Sequence, residues 1–175
     1  MTTESMTSEK RVARLFGLQG DHWMRHANKW SVWSRFSVLS LIALAIWSRD
    51  WIGWWCLIPV GLAVTWMMVN PLLFSAPRST RNWASKSVLG ERIWADRNTV
   101  EIPEQFRSPV PTNIANAFAG VGLVLMAYGL ITFDLLPTIA GVLIANLGKL
   151  WYLDRMVLLF DDMKHRDPEI AKWDY

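Results

Sequence analysis

Apolar residues in this chain come in long blocks. Residues 51–69 and 114–133 carry no charge, and each has the roughly 20 residues that cross a bilayer core about 30 Å thick. Residues 30–47 are interrupted only by Arg35, near enough to the start of the block to extend back to a polar surface. Residues 135–153 are interrupted only by Lys149, near their far end. The pattern predicts an all-α polytopic membrane protein with four transmembrane helices as two hairpins, turning around residues 48–50 and around Asp134.

The stretches between the blocks alternate polar and apolar residues at helical spacing. Val12, Leu15 and Phe16 share a stripe opposite Lys10, Arg11 and Arg14, which predicts a short amphipathic helix on the membrane surface. Residues 79–97 predict a second surface helix, carrying Trp83, Val88, Leu89, Ile93 and Trp94. Asn28 is expected to cap the first span, since its side-chain oxygen can accept from a first-turn amide. Asn70 and Pro71 mark the exit of the second span, and Pro77 adds a further break. Pro59 and Gly61 allow a kink within that span. The resulting organisation is an N-terminal segment 1–29, a first hairpin 30–69, a loop 70–113, a second hairpin 114–160 and a tail 161–175. Small residues recur at helical spacing on the last two spans, Ala115, Ala119 and Gly122 on one and Gly141, Ala145 and Gly148 on the other. They predict a tight antiparallel pair.

Composition agrees with this reading. The chain is 52% hydrophobic and 19% charged, with a mean hydropathy of +0.17, which excludes disorder and most water-soluble classes. Of 18 Lys and Arg, Arg49 alone lies between the first two spans, and none lies between the last two. Cytoplasmic loops hold such an excess, so both termini and the loop 70–113 are expected to be cytoplasmic in a multi-pass protein of the cell inner (plasma) membrane. No cleavable signal peptide is apparent. The net charge of +3 favours anionic lipid headgroups over nucleic acid, for which no motif is present. Eleven of the 12 Trp sort by level, Trp47, Trp51, Trp54 and Trp55 at the outer face and Trp23, Trp30, Trp33, Trp66, Trp83, Trp94 and Trp151 toward the inner one, as an aromatic belt does.

Candidate chemistry is sparse. Arg35, Asn70, Asn116, Asn146, Lys149 and Asp154 lie inside or beside the spans, where buried polar groups are costly unless paired. They could line a cytoplasm-facing pocket for a small anion or lipid headgroup. Alternatively, Arg35 or Lys149 pairs with Asp154 while the Asn side chains bond helix to helix. His22 and His26 stand at i and i+4, a spacing that suits a transition metal, and Asp161, Asp162 and His165 could complete the set; the alternative is that all five are solvated. Cys56 excludes an intrachain disulfide by being the only cysteine, and it reads as packing. No cofactor is identified by these residues.

The run His26, Ala27, Asn28, Ser31, Trp33 and Arg35, then Trp66, Asn70 and Pro71, then Trp83, Gly90, Glu91, Arg92 and Trp94, resembles a family of small prokaryotic integral membrane proteins known as a domain of unknown function. The likeness covers roughly residues 11–100 and fades in the second half. Where the family commonly has Pro after the Asn, this chain has Lys29, so the helix start is less rigid. The resemblance implies a multi-span membrane protein and brings no activity, cofactor or catalytic residue. Read from the residues alone, Gly90, Glu91 and Arg92 suggest either a polar cluster meeting Arg35, Asn28 or Asp96, or a capped helix end with a local ion pair.

With no credible catalytic set, the expected role is that of an accessory or assembly subunit that associates, through its cytoplasmic helices and small-residue faces, with another membrane protein or with itself. A binder or carrier of a small anion or lipid headgroup is the alternative, and a metal-dependent membrane enzyme the third possibility.

Overall fold

The computed structural model describes the chain from His22 to Tyr175, and His22 by its backbone alone. The amphipathic helix expected around residues 10–16 lies outside the described residues. Every regular element among the described residues is helical. Among the described residues, three helical stretches are long and apolar enough to cross a membrane by length and composition, Lys29–Leu73, Glu104–Thr132 and Leu135–Arg166. The chain divides into two compact units. Unit 1 holds the described residues up to Val32, Pro71–Pro109 and Leu153–Tyr175; unit 2 holds Trp33–Asn70 and Val110–Tyr152.

The first stretch begins after the short helix α1 (His22–His26) and contains α2 (Lys29–Trp47), α3 (Arg49–Ile52), a 3₁₀ turn (Gly53–Cys56) and α4 (Leu57–Leu73). Asn28 caps α2 as its sequence position predicts: its side-chain oxygen accepts from the Trp30 amide at 3.0 Å, and its carbonyl accepts from the Val32 amide at 3.0 Å. Pro59 falls in the first turn of α4, where its missing N–H breaks no helical bond. Pro71 lies inside the last turn, so α4 runs on past the expected exit at Asn70. The start of α2 and the end of α4 are tied together in unit 2, because buried Asn70 donates from Nδ2 to Ser34 Oγ at 2.9 Å.

The rest of unit 2 is α7 (Val110–Thr132) and the first part, 135–152, of α8 (Leu135–Arg166). The two helices run antiparallel with their small residues in register. Gly122 faces Ala145, Gly141 faces Met126 and Gly148 faces Ala119, each so closely that a Cβ on the glycine would collide with the opposing backbone. The small-residue faces therefore close on each other within the chain. Their connecting turn holds Phe133 at φ 53°, and the Asp134 amide donates to the Gly129 carbonyl at 2.9 Å, a pairing that ends α7 in a left-handed cap. Trp47 meets the Phe133 ring edge-on at 5.7 Å, and the Arg49 guanidinium lies over it at 4.1 Å while donating to the Leu130 and Ile131 carbonyls. Arg49 thus places positive charge at the C-terminal end of a helix dipole. Ala43, Met126 and Leu130 are buried together under Leu39, Ile46, Trp47 and Val142. The outside of this unit is apolar, with Leu44, Leu62, Val124, Ile131 and Leu136 all well exposed.

Unit 1 is built on α5 (Trp83–Ala95), with α6 (Glu104–Arg107), the remainder of α8, α9 (Pro168–Ala171) and α1, which packs on α5. Sequence periodicity predicts a surface helix over 79–97. Instead α5 starts four residues later, after the Asn82 cap, whose side chain accepts from the Ser85 amide at 3.0 Å. It is a core helix: Val88, Leu89, Ile93 and Trp94 are buried. Small residues make this possible. Ser85 donates from its hydroxyl to the Ala27 carbonyl at 2.6 Å, and at Gly90 a Cβ would collide with the Met156 backbone of α8. The Gly90–Glu91–Arg92 run is accordingly a helix-crossing point in mid-helix rather than a capped end. Trp94 belongs to this core, not to an aromatic belt.

Candidate functional site

A cavity of about 610 Å³ opens in unit 1 between the start of α2 and the chain that leads into α5. Its walls are Asn28, Lys29 and Trp30 on one side and residues 75–79, 81 and 82 on the other. Both helix starts are held by asparagine caps, Asn28 for α2 and Asn82 for α5. The two sides are joined by Asn28, which donates from Nδ2 to the Ser75 carbonyl at 3.0 Å. Asn82 also donates to the Ser79 carbonyl at 3.3 Å and to Ser85 Oγ at 2.9 Å.

The charges on this lining are all of one sign. Lys29, Arg78 and Arg81 are cations, and its described residues include no carboxylate. All three side chains are exposed. Two exposed arginines with serine hydroxyls and helix-capping residues nearby can donate several charge-assisted hydrogen bonds to one tetrahedral oxyanion. The described lining residues also include no thiol. The arrangement is suited to binding.

Behind the cavity, α5 is tied to the second half of α8. Trp83 donates from Nε1 to Asp154 at 3.1 Å, and Lys86 reaches Asp161 at 2.9 Å. Lys164 bridges Asp161 at 2.8 Å and Asp174 at 2.9 Å. Burial of Asp161 disfavours its charged form, but the hydrogen bonds and charges of Lys164 and Lys86 outweigh this and lower its pKa. The hydrogen bonds to Asp161 and then Asp174 outweigh burial at Lys164 and raise its pKa. Both groups lie on α8 beyond the apolar segment 135–153.

The polar residues singled out in the spans serve other contacts. Asn70 bonds Ser34 between two helices. Asn146 donates to the Val142 carbonyl of its own helix at 3.0 Å, and Lys149 lies over the Tyr152 ring at 4.6 Å. Asn116 is exposed, Arg35 is half-buried, and Asp154 accepts from Trp83. None of these six lines the cavity, whereas Asn28 of the recognised motif does. Arg92 stacks over Trp173 at 4.2 Å, and Glu91 is half-buried on α5.

For the metal set, Asp161 is engaged by two lysines, and Asp162 accepts from Arg166 at 3.2 Å and from Gln105 at 3.0 Å. His26 meets the Trp23 ring edge-on at 6.2 Å, and the His22 side chain lies outside the described residues. Among the described residues no three or more His, Cys, Asp or Glu come together in a way that could hold a metal ion. The structure thus does not assemble His26, Asp161, Asp162 and His165 into a metal centre, because lysine and arginine occupy the carboxylates.

Periodicity alone misses Arg78 and Arg81, because Arg78 falls between periodic segments and residues 79–82 are absorbed into the following helix. The signal was present in the Pro77–Arg78 step and in Asn82, a capping residue three positions before Ser85.

The sequence pattern of DUF6653, a family of unknown function, matches residues 7–174. The chain belongs to that family. The match runs through α7 and α8 as well, well past residue 100 where the motif-level likeness fades. No curated protein and no solved structure matches the chain.

Proposed function

We propose that this protein is a membrane-anchored binder of a phosphate-bearing anion, which it holds between Lys29, Arg78 and Arg81. The observation that carries the reading is a cavity whose ionic residues are all cations, built on the first turn of an apolar helical stretch. In this reading Lys29–Leu73 crosses the membrane twice, through α2 and α4, and α7 and the apolar part of α8 add two further crossings. The Ser34–Asn70 bond, which brings the start of α2 to the end of α4, supports the first pair. The distribution of Lys and Arg then puts the cavity and both termini on the cytoplasmic side of the inner membrane, at headgroup level. Trp51, Trp54 and Trp55 are exposed (77%, 85% and 72%), which supports an interfacial place for the turn between α2 and α4.

The assembly role draws less support, because the small-residue faces offered for a partner are used between α7 and α8. The bound phosphate belongs either to a lipid headgroup or to a soluble molecule, and one experiment separates these. Purified protein is titrated with inorganic phosphate, and in parallel with vesicles of phosphatidylcholine with and without phosphatidic acid. Binding is expected to weaken with salt, since exposed charges are screened over about 8 Å at physiological ionic strength. Paired Arg78→Ala and Arg81→Ala changes are expected to lower affinity at least tenfold. Preference for phosphatidic acid vesicles over free phosphate identifies a headgroup, and the reverse a soluble ligand. If native protein binds neither phosphate nor phosphatidic acid, the proposal fails.

A further inference from the structure

The wall of the cavity that carries both arginines has no helix or strand of its own. Residues 75–82 are irregular, so no helical or strand ladder sets the spacing of Arg78 and Arg81, and contacts from outside the segment must help to fix it. Residues 173–175 do this. The Thr80 amide donates to the main-chain oxygen of Tyr175 at 2.8 Å, and the Tyr175 amide donates back to Thr80 Oγ1 at 3.0 Å. Thr80 Oγ1 donates in turn to the Trp173 oxygen at 2.6 Å. On the N-terminal side of Thr80, Ser79 Oγ donates to the Tyr175 oxygen at 2.9 Å and the Tyr175 hydroxyl to the Pro77 carbonyl at 3.3 Å. Thr80 is fully buried, although the arginine two positions before it and the arginine directly after it are exposed.

The other side of the same three residues is fixed to the helices of unit 1. Trp173 lies under the Arg92 guanidinium of α5 at 4.2 Å, and Asp174 is held by Lys164 of α8 at 2.9 Å. Lys164 also bonds Asp161, which in turn binds Lys86 of α5. The segment is thus a clip with its inner face on the cavity wall and its outer face on two rigid helices.

We infer that residues 173–175 are the positioning element of the anion site, holding Arg78 and Arg81 preorganised so that anion binding and clip docking strengthen each other. The inference rests on the anion-binding reading. Preorganisation raises affinity by removing the ordering cost that a free loop would bear on binding. Linkage requires the effect to run both ways, so a bound anion must also hold the clip down. Thr80, which makes three of the bonds between them, is the buried centre of the join.

The test uses Thr80→Val in the full chain, which keeps every cation and removes only the hydroxyl that bonds Trp173 and Tyr175. Inorganic phosphate is the probe, with affinity, its salt dependence and amide hydrogen exchange as readouts. The variant is expected to bind phosphate at least tenfold more weakly with an unchanged salt dependence, since the number of cations is the same. In the native protein, phosphate is expected to slow exchange of the Thr80 and Tyr175 amides. Should Thr80→Val fail to fold by circular dichroism, Trp173→Leu, which loosens the outer face alone, carries the same expectation. Native-like phosphate affinity in a folded variant, or exchange at Thr80 and Tyr175 unmoved by phosphate, overturns the inference and leaves the binding reading standing. If the native chain itself binds no phosphate or phosphatidic acid, it is the binding reading that falls, and the positioning role falls with it.

Discussion

Asp161 is the residue on which the charge pattern of unit 1 turns. Lys86 and Lys164 both contact it, and Lys164 hands the connection on to Asp174, so four side chains from α5, α8 and the clip form one alternating chain of charge. The lowered pKa of Asp161 means that its stabilising contribution is complete above its unfolded value, roughly pH 4, and is lost as pH falls through the still lower folded value. Lys164 runs the other way: its raised pKa gives a contribution complete below its unfolded value, roughly pH 10.4, and lost as pH rises through the higher folded value. Thermal melts in detergent are therefore expected to show a plateau between these limits. Asp161→Asn should lower the plateau and flatten the acid limb. An acid limb identical to that of the native chain would mean that other carboxylates govern it.

Among the elements, α5 shows best how residue size decides a helix's place. Its hydrophobic pattern was legible, and so were its aromatic positions, but the pattern describes a half-buried helix equally well on a membrane surface or in a protein core. Gly90 and the small serines around it decide the matter, because they let α8 approach until the Met156 backbone lies where a side chain would stand. Gly90→Ala is expected to destabilise by about 1–3 kcal/mol, the range for overpacking a filled site, and backbone cannot yield as a flexible side chain would. Gly120 on α7 is the control: a Cβ there meets nothing within 4 Å, and glycine in mid-helix is less favourable than alanine by roughly 1 kcal/mol. Gly120→Ala should leave the melting temperature unchanged or raise it. Equal losses at both positions would show that close packing is not what distinguishes them. The same comparison explains the start of α5, where the Asn82 cap cuts the helix short and frees residues 79–82 for the cavity wall.

Across the whole molecule, the distribution of apolar surface separates the two units. Unit 2 exposes large apolar side chains along every long helix, whereas unit 1 buries Leu89, Ile93, Trp94 and Phe160 in a core of its own. Three stretches can cross a membrane by length and composition, and the four-crossing reading makes a specific prediction about sidedness. In a Cys56→Ser chain, Asp50→Cys should react with a membrane-impermeant maleimide added to intact cells, and Asn98→Cys only after permeabilisation. Labelling of both from one side would remove that reading.

The helical class, the long apolar blocks, the Asn28 cap and the small-residue pairing of α7 with α8 could all be read from the sequence, because each depends on a local property: block length, a capping side chain next to its helix, or volume at fixed helical spacing. The cationic cavity could not. Arg78 and Arg81 gain their setting from Asn28, some fifty residues earlier, and from Tyr175, 95 residues beyond Thr80. Contacts at such separation leave no periodic trace in the chain, since what unites them is the packing of the helices that carry them. Tertiary structure alone decided which polar residues meet, and it placed them on irregular backbone that no pattern of apolar residues describes.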